Sequence, residues 1–204
     1  MYSKMPQQLG IMKLNCPEMM FVQYMPISMK YNGEFRIPEN MLWIAPIIRA
    51  ISGPIGPQEP FYHDYVYVTV KHMYQSGDSF NRSGLHIDGY GTDDINFVWS
   101  DSSPTEFFVQ DFELSEGHNL SMRQMEKQAR NQNRVIFPKN SLLMLDNTMV
   151  HRVNLNQDEG FRTFVKISIS KNKYALKGNA HNYLFDYDWE MTERKPTRNC
   201  PQGK

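Results

Sequence analysis

His86-Ile87-Asp88, then His151 and then Arg162, are the residues of this chain whose types and spacing fit a single chemistry. Two imidazoles and one carboxylate hold a divalent transition metal on one face and leave its other coordination positions open, an arrangement that suits iron(II) and dioxygen. Side chains two apart on a strand share a face, so an extended segment over 83–88 presents His86 and Asp88 together. His151, inside the apolar run Met149-Val150-His151-Arg152-Val153, supplies the third ligand from a neighbouring strand. Arg162 follows His151 by eleven residues and offers a planar fork for a carboxylate-bearing co-substrate.

An isolated HxD is a weak signal, and a lone histidine in a β-rich core is more often a hydrogen-bonded packing residue than a ligand. The set of four carries the weight. Residues 151–155 and 161–170 read as a hairpin around the turn-rich Asn156-Gln157-Asp158-Glu159-Gly160. In that register Arg162 lies opposite Asn154, about 10 Å along the sheet from His151 at ~3.3 Å per residue. A five-carbon diacid chelating the metal at one end then reaches the guanidinium at the other. The competing expectation is a solvent face of Arg162, Lys166 and Ser168, with Phe161, Val165, Ile167 and Ile169 turned to the core.

The elements that must position these residues are mostly strands. Residues 65–70 (Tyr-Val-Tyr-Val-Thr-Val) are β-branched and aromatic throughout. Stretches 95–99, 106–109, 134–137, 141–145, 149–155 and 161–170 read likewise, separated by turn residues. An all-β core with flanking helices follows. The stretch 115–133 is polar and reads as a loop with a short helix. The first sixty residues carry eight prolines, which argues against long helices. One short helix fits 39–51, with Met41, Leu42, Ile44, Ala45, Ile48 and Ile51 as its apolar stripe and Pro46 kinking or dividing it. The expected organisation is one domain over 1–204: a proline-rich N-terminal extension (1–60), a β core (61–170) and a C-terminal extension (171–204).

Composition limits the function classes. Lys plus Arg and Asp plus Glu both number 22, so wholesale neutralisation of a nucleic-acid backbone is disfavoured. Thirteen per cent aromatic residues suits a globular chain. Cys16 and Cys200 read as free thiols in a reducing compartment. No apolar stretch reaches membrane-spanning length, and residues 1–14 show no signal-peptide pattern. A soluble, cytoplasmic protein without a membrane role is expected.

Taken together, His86-x-Asp88, His151 and Arg162 resemble the signature of the iron(II)/2-oxoglutarate-dependent dioxygenase superfamily. Residues 141–147 leading into Val150-His151-Arg152-Val153 are similar to the paired strands that deliver the distal histidine in that family. Thr105-Glu106-Phe107-Phe108 resembles the strand after the HxD. Met73-Tyr74-Gln75-Ser76-Gly77 is similar to the stretch of prolyl-hydroxylase-like members in which a tyrosine contacts 2-oxoglutarate, which makes Tyr74 a co-substrate candidate. The chain also broadly resembles dioxygenase-like proteins of phage genomes, for which the compartment would be the host cytoplasm. The resemblance covers about 65–170. It implies a double-stranded β-helix (a cupin-like jelly roll), iron(II) on His86, Asp88 and His151, 2-oxoglutarate on Arg162, dioxygen as co-substrate, and release of succinate and carbon dioxide. Retention of Asp88 implies hydroxylation rather than halogenation. The absence of a second arginine after Arg162 at the spacing of the DNA-repair demethylases departs from that branch.

Two other readings stand beside it: a cupin-like metal enzyme that does not use 2-oxoglutarate, and a non-catalytic binding or structural module on the same barrel. A small molecule or a protein side chain is the expected substrate, with a nucleobase still open. Gly89-Tyr90-Gly91-Thr92-Asp93-Asp94 is a candidate substrate loop, with Tyr90 as a stacking surface and Trp99 a core residue. Of the other histidines, His72 reads as structural and His118 as a loop residue. His181, within Asn179-Ala180-His181-Asn182-Tyr183, is a candidate cap over the barrel mouth.

Overall fold

The β-branched and aromatic runs form strands, and their alternation separates two buried faces. The computed structural model describes residues 1–52, 64–75, 84–155 and 158–194. Strands are β1 (Gln7–Ile11), β2 (Met20–Ser28), β3 (Tyr65–Gln75), β4 (Ile95–Ser100), β5 (Glu106–Phe108), β6 (Arg134–Ile136), β7 (Ser141–Leu145), β8 (His151–Arg152) and β9 (Gly160–Ser170). They form two sheets of antiparallel pairs, one ordered β1-β7-β4-β9-β3-β2 and one ordered β6-β5-β8. A 3-10 turn (Glu39–Ile44) runs into helix α1 (Ala45–Ser52), and α2 spans His118–Gln128. Pro46 divides the helical stretch and falls in the first turn of α1, where its missing N–H costs nothing. Among the described residues no helix is long and apolar enough to cross a membrane.

Strands β3 and β9 pair without a register break from Tyr65↔Ser170 to Gln75↔Gly160, so every residue on them has a defined face. Val66, Val68, Val70, Val165, Ile167 and Ile169 point one way and pack with Phe97, Trp99 and Leu142 against Met41, Ile44, Ile47, Ile48 and Ile51 of the helical segment. On the opposite face Val98, Leu143, Leu145 and the partly buried Phe164 meet Phe107 of the small sheet. The outer side of the small sheet packs Leu85, Ile87, Phe108 and Val150 with Phe112, which precedes α2, and with Met125 of α2. The layers therefore run α1, large sheet, small sheet, α2, and the space between the sheets is where inward-facing polar residues collect.

The first sixty residues hold more than the expected short helix: they also provide β1 and β2, the two edges of the large sheet. Pro26 sits in β2 opposite Tyr67. A proline is tolerated there because an edge strand has one side that need not donate to a ladder. The expected hairpin of 151–155 with 161–170 does not form. β8 belongs to the small sheet beside β5, whereas β9 lies between β4 and β3 in the large one. The loop residues 156–157, the Gly-Pro loop at 53–57, His63, residues 76–83 and the basic end of the chain (195–204) lie outside the described residues.

Candidate metal centre

The strand pairing brings the two sequence-distant histidines face to face. His86 lies in a short extended segment whose backbone joins β8: the His86 N–H donates to the His151 carbonyl and the His151 N–H to the His86 carbonyl, both at 2.9 Å. The rings sit 4.5 Å apart. Glu126 of α2 holds the segment from outside, its carboxylate accepting from the Leu85 N–H. Asp88 follows where the chain turns at Gly89. Gly89 has φ +71°, and a Cβ there would come within 2.7 Å of the Asp94 Cβ, so the turn requires glycine. One ligand atom from each of His86, Asp88 and His151 lies within 4.8 Å of the other two.

The tautomers suit metal binding. His86 Nδ1 is 2.9 Å from the Gly84 carbonyl and His151 Nδ1 is 2.9 Å from the Met149 carbonyl. A carbonyl only accepts, so each Nδ1 carries the proton and each Nε2 carries the lone pair. Anchoring one ring nitrogen so that the other ligates is how metal-binding imidazoles are oriented. His151 Nε2 lies 3.8 Å from Asp88 Oδ2. Two neutral imidazoles and a carboxylate on one side of a cleft fit a divalent transition metal and leave its remaining positions to outside ligands.

Two residues that sequence reasoning missed complete this centre. Lys166 Nζ donates to Asp88 Oδ2 and to the Tyr24 hydroxyl, both at 3.0 Å. Burial alone would raise the Asp88 pKa, but the Lys166 ammonium opposes it by its charge and its hydrogen bond, and the carboxylate is held well below its ordinary range. Burial would likewise lower the Lys166 pKa, and Asp88 and Tyr24 reverse this, so the ammonium stays charged. The competing expectation of a solvent face of Arg162, Lys166 and Ser168 does not hold: all three are buried, because their face of β9 meets the second sheet. Phe161, which that alternative turned to the core, is exposed.

Tyr24 reaches the centre through an irregularity. The β2–β3 register shifts between Val22 and Met25, and Tyr24 takes φ +45°, a left-handed conformation that bulges use to re-aim a side chain. No sequence feature marks this bulge. For Lys166 a signal existed: it lies four residues after Arg162, an even number, and so shares its face on any strand.

Arg162 lies on the inward face, about 13 Å along β9 from Lys166 at ~3.3 Å per residue. It is buried; its Nε donates to the Ser102 carbonyl at 3.0 Å and its guanidinium lies 5.1 Å from the Phe164 ring centroid. Burial lowers its pKa to about 10, against the pull of Asp101, so it is a cation at neutral pH. Lys71, two residues from Thr69 (the β3 partner of Lys166), shares this face. Its pKa is lowered to about 8 by burial and by repulsion from Lys166 and Arg162.

Tyr74 is not brought to the centre. It lies an odd number of residues from Thr69, so it points to the opposite face. It is exposed, and its hydroxyl donates to Glu159. His72 shares that outer face and hydrogen-bonds Thr163, a structural role as expected. Tyr90 is not an open stacking surface: it is partly buried against the apolar cluster that contains Leu85 and Phe112, and it donates to the Ser115 carbonyl. Trp99 is a core residue whose Nε1 donates to the Met12 carbonyl. His118 opens α2 rather than lying in a loop. His181 borders a cavity near Tyr24.

No protein-family model matches the chain, and no curated protein matches it. Among solved structures, it is similar to the crystal structure of a bsmA homolog from Methylobium petroleophilum PM1, at 16% identity and a TM-score of 0.38. The similarity covers 73% of this chain and 64% of that one, so the chain spans under two thirds of that structure's length. A likeness this distant says nothing about activity.

Proposed function

We propose that this protein is an iron(II)- and 2-oxoglutarate-dependent oxygenase built on a double-stranded β-helix. The observation that carries the proposal is the convergence of His86, Asp88 and His151 with both Nδ1 atoms tied to backbone carbonyls. The strand order supports the fold. Taken along the chain, β3, the His86 segment, β4, β5, β6, β7, β8 and β9 fall in the large, small, large, small, small, large, small and large sheet, the alternation of an eight-stranded jelly roll.

His86, Asp88 and His151 would hold iron(II). Asp88 has lone pairs enough to accept from Lys166 and still ligate, since an ionised carboxylate offers about four acceptor sites. Lys71, Lys166 and Arg162 give the inward face an excess of positive charge beside a single triad carboxylate, which suits a dianionic co-substrate. Arg162, buried and without a carboxylate partner among the described residues, would take the distal carboxylate as a fork. When bound, iron and 2-oxoglutarate supply the oxidising chemistry: a C–H bond, 2-oxoglutarate and dioxygen become C–OH, succinate and carbon dioxide. The chain orients both ligands, and the two sheets exclude water around Arg162.

The Lys166–Asp88 pair favours a second reading. In a barrel kept as a binding module, a tethered ammonium beside Asp88 does the neutralising work of a metal. Two measurements separate the readings. Purified protein with iron(II), ascorbate and 2-oxoglutarate should release succinate, and Asp88→Ala and His151→Ala should abolish it. With a redox-inert divalent metal, 2-oxoglutarate at a hundred times its Kd should stabilise the fold by about 2.7 kcal/mol. Absence of both responses refutes the oxygenase.

A further inference from the structure

The C-terminal segment encloses a cavity of about 420 Å³ that nothing above assigns, within the range of small-molecule sites. Its walls are aromatic. Tyr24 and Tyr174 meet edge to face at 5.6 Å, His181 stacks on Tyr187 at 4.3 Å, and Tyr187 lies 4.7 Å from Trp189. All five rings line the cavity. None belongs to a core cluster, and none is fully buried. Half-exposed rings gathered around a concavity mark a ligand site more than a packing one.

These walls are fixed in place. The Tyr174 hydroxyl donates to Asp94, the Tyr174 N–H donates to the Tyr67 hydroxyl, and Tyr67 donates to the Asn172 carbonyl. Trp189 rests edge-on against Tyr65 at 5.7 Å, and the Tyr187 hydroxyl accepts from the Asn182 N–H. Preorganised rings bind a ligand without first losing rotamer freedom. Lys177 and Asp188 also line the cavity and are exposed, so charges of both signs stand at its rim.

Its position relative to the metal centre gives the cavity a role. Tyr24 forms part of the wall, and its hydroxyl is joined to Asp88 Oδ2 through Lys166 by two contacts of 3.0 Å each. The wall therefore stands within 6 Å of the candidate iron ligand. Along the inward face of β9 the order is Arg162, Phe164, Lys166, Ser168, Ser170, and Tyr67 and Tyr65 lie opposite the last two. Asp88 thus stands between Arg162 at one end and the aromatic cavity at the other. A diacid on Arg162 leaves the cavity open.

We propose that this cavity binds the molecule to be oxidised, a small molecule with one planar aromatic or heteroaromatic ring and a polar tail. The ring enters among Tyr24, Tyr174, Tyr187 and Trp189, and the tail meets Lys177 and Asp188. This assignment rests on the oxygenase reading for the word oxidised, but not for the binding.

The test needs no metal. Trp43, Trp99 and Trp189 are the three indoles of the chain, so the Nε1–H resonance of Trp189 is identified by its loss in Trp189→Phe. The full-length protein is titrated to ~10 mM with two families of ring probes, the nucleosides thymidine and adenosine and the amides of tyrosine and phenylalanine. Ribose and leucine amide are the ringless controls. Saturable movement of the Trp189 resonance by either ring family, with the other indoles still, supports the proposal and tells a base from an aromatic side chain as the source. Tyr187→Ala should weaken that binding roughly tenfold, the loss of one stacking wall, while Trp189→Phe, which keeps a ring but loses the indole reporter, should retain it as read from the line broadening of the probe's own resonances. Saturation by no ring probe, or equally by the ringless controls, overturns it. Ring binding with neither succinate release nor stabilisation by 2-oxoglutarate leaves the cavity standing and removes the oxygenase. Succinate release with no ring binding does the reverse.

Discussion

Replacing Arg162 with methionine distinguishes a binding residue from a structural one. Arg162 is 5% exposed, and its one side-chain hydrogen bond among the described residues goes from Nε to the Ser102 carbonyl. Burial moves its pKa from 12.5 to about 10, with Asp101 opposing. At about 1.4 kcal/mol per unit, holding the cation there costs roughly 3 kcal/mol. Because the folded value lies below the unfolded one, the cost is present in full below about pH 10 and is relieved only as pH rises towards 12.5. Methionine removes that cost, keeps an apolar stem against Phe164, and forfeits a charged hydrogen bond of about 1.5–3 kcal/mol. Folding stability should therefore change by no more than about 1.5 kcal/mol. The diacid, in contrast, loses a desolvated bidentate partner worth about 2–5 kcal/mol, a weakening of roughly thirtyfold to several thousandfold. Thermal melts with and without a redox-inert metal plus 2-oxoglutarate read both quantities. A variant that melts far below the parent yet keeps its full response to 2-oxoglutarate refutes the reasoning.

Asp88→Ala leaves the Lys166 ammonium buried without its counter-charge and should cost about 3–5 kcal/mol in urea denaturation. Adding Lys166→Met should recover most of that loss, and an Asp88→Ala protein as stable as the parent would contradict the buried pair. Lys71, with its pKa lowered to about 8, is protonated below that pH and neutral above it. The apparent affinity for 2-oxoglutarate should therefore fall from pH 7 to pH 9, and Lys71→Met should flatten this part of the profile in binding titrations. Gly89→Ala forces a Cβ onto Asp94 at φ +71°; it should cost about 1–3 kcal/mol and weaken metal binding at least roughly tenfold by moving Asp88. Unchanged metal affinity would show that the turn does not set the carboxylate.

The strands β3 to β9 were legible because β-branched and aromatic runs bounded by turn residues leave little else for a chain to form. β1 and β2 were not. Their prolines and mixed polarity argue against a strand until a sheet edge supplies a side without hydrogen-bond demands, and nothing in 1–60 says which strand has such a neighbour. The burial of Arg162 was likewise undecided. Alternation groups Arg162, Lys166 and Ser168 on one face of β9, but the same pattern serves a solvated face and a face turned to a second sheet.

The sequence by itself determined which residues have metal-binding chemistry and which strands carry them, since side-chain type and a period of two are local properties. The tertiary structure alone decided that His86 pairs with His151 rather than β8 with β9, that Lys166 and Tyr24 join Asp88, and that Tyr74 faces away. It also set the aromatic cavity of the C-terminal segment beside Tyr24. These depend on which strand neighbours which, and strand pairing is fixed by the burial of whole faces, a sum over distant residues that no local pattern contains.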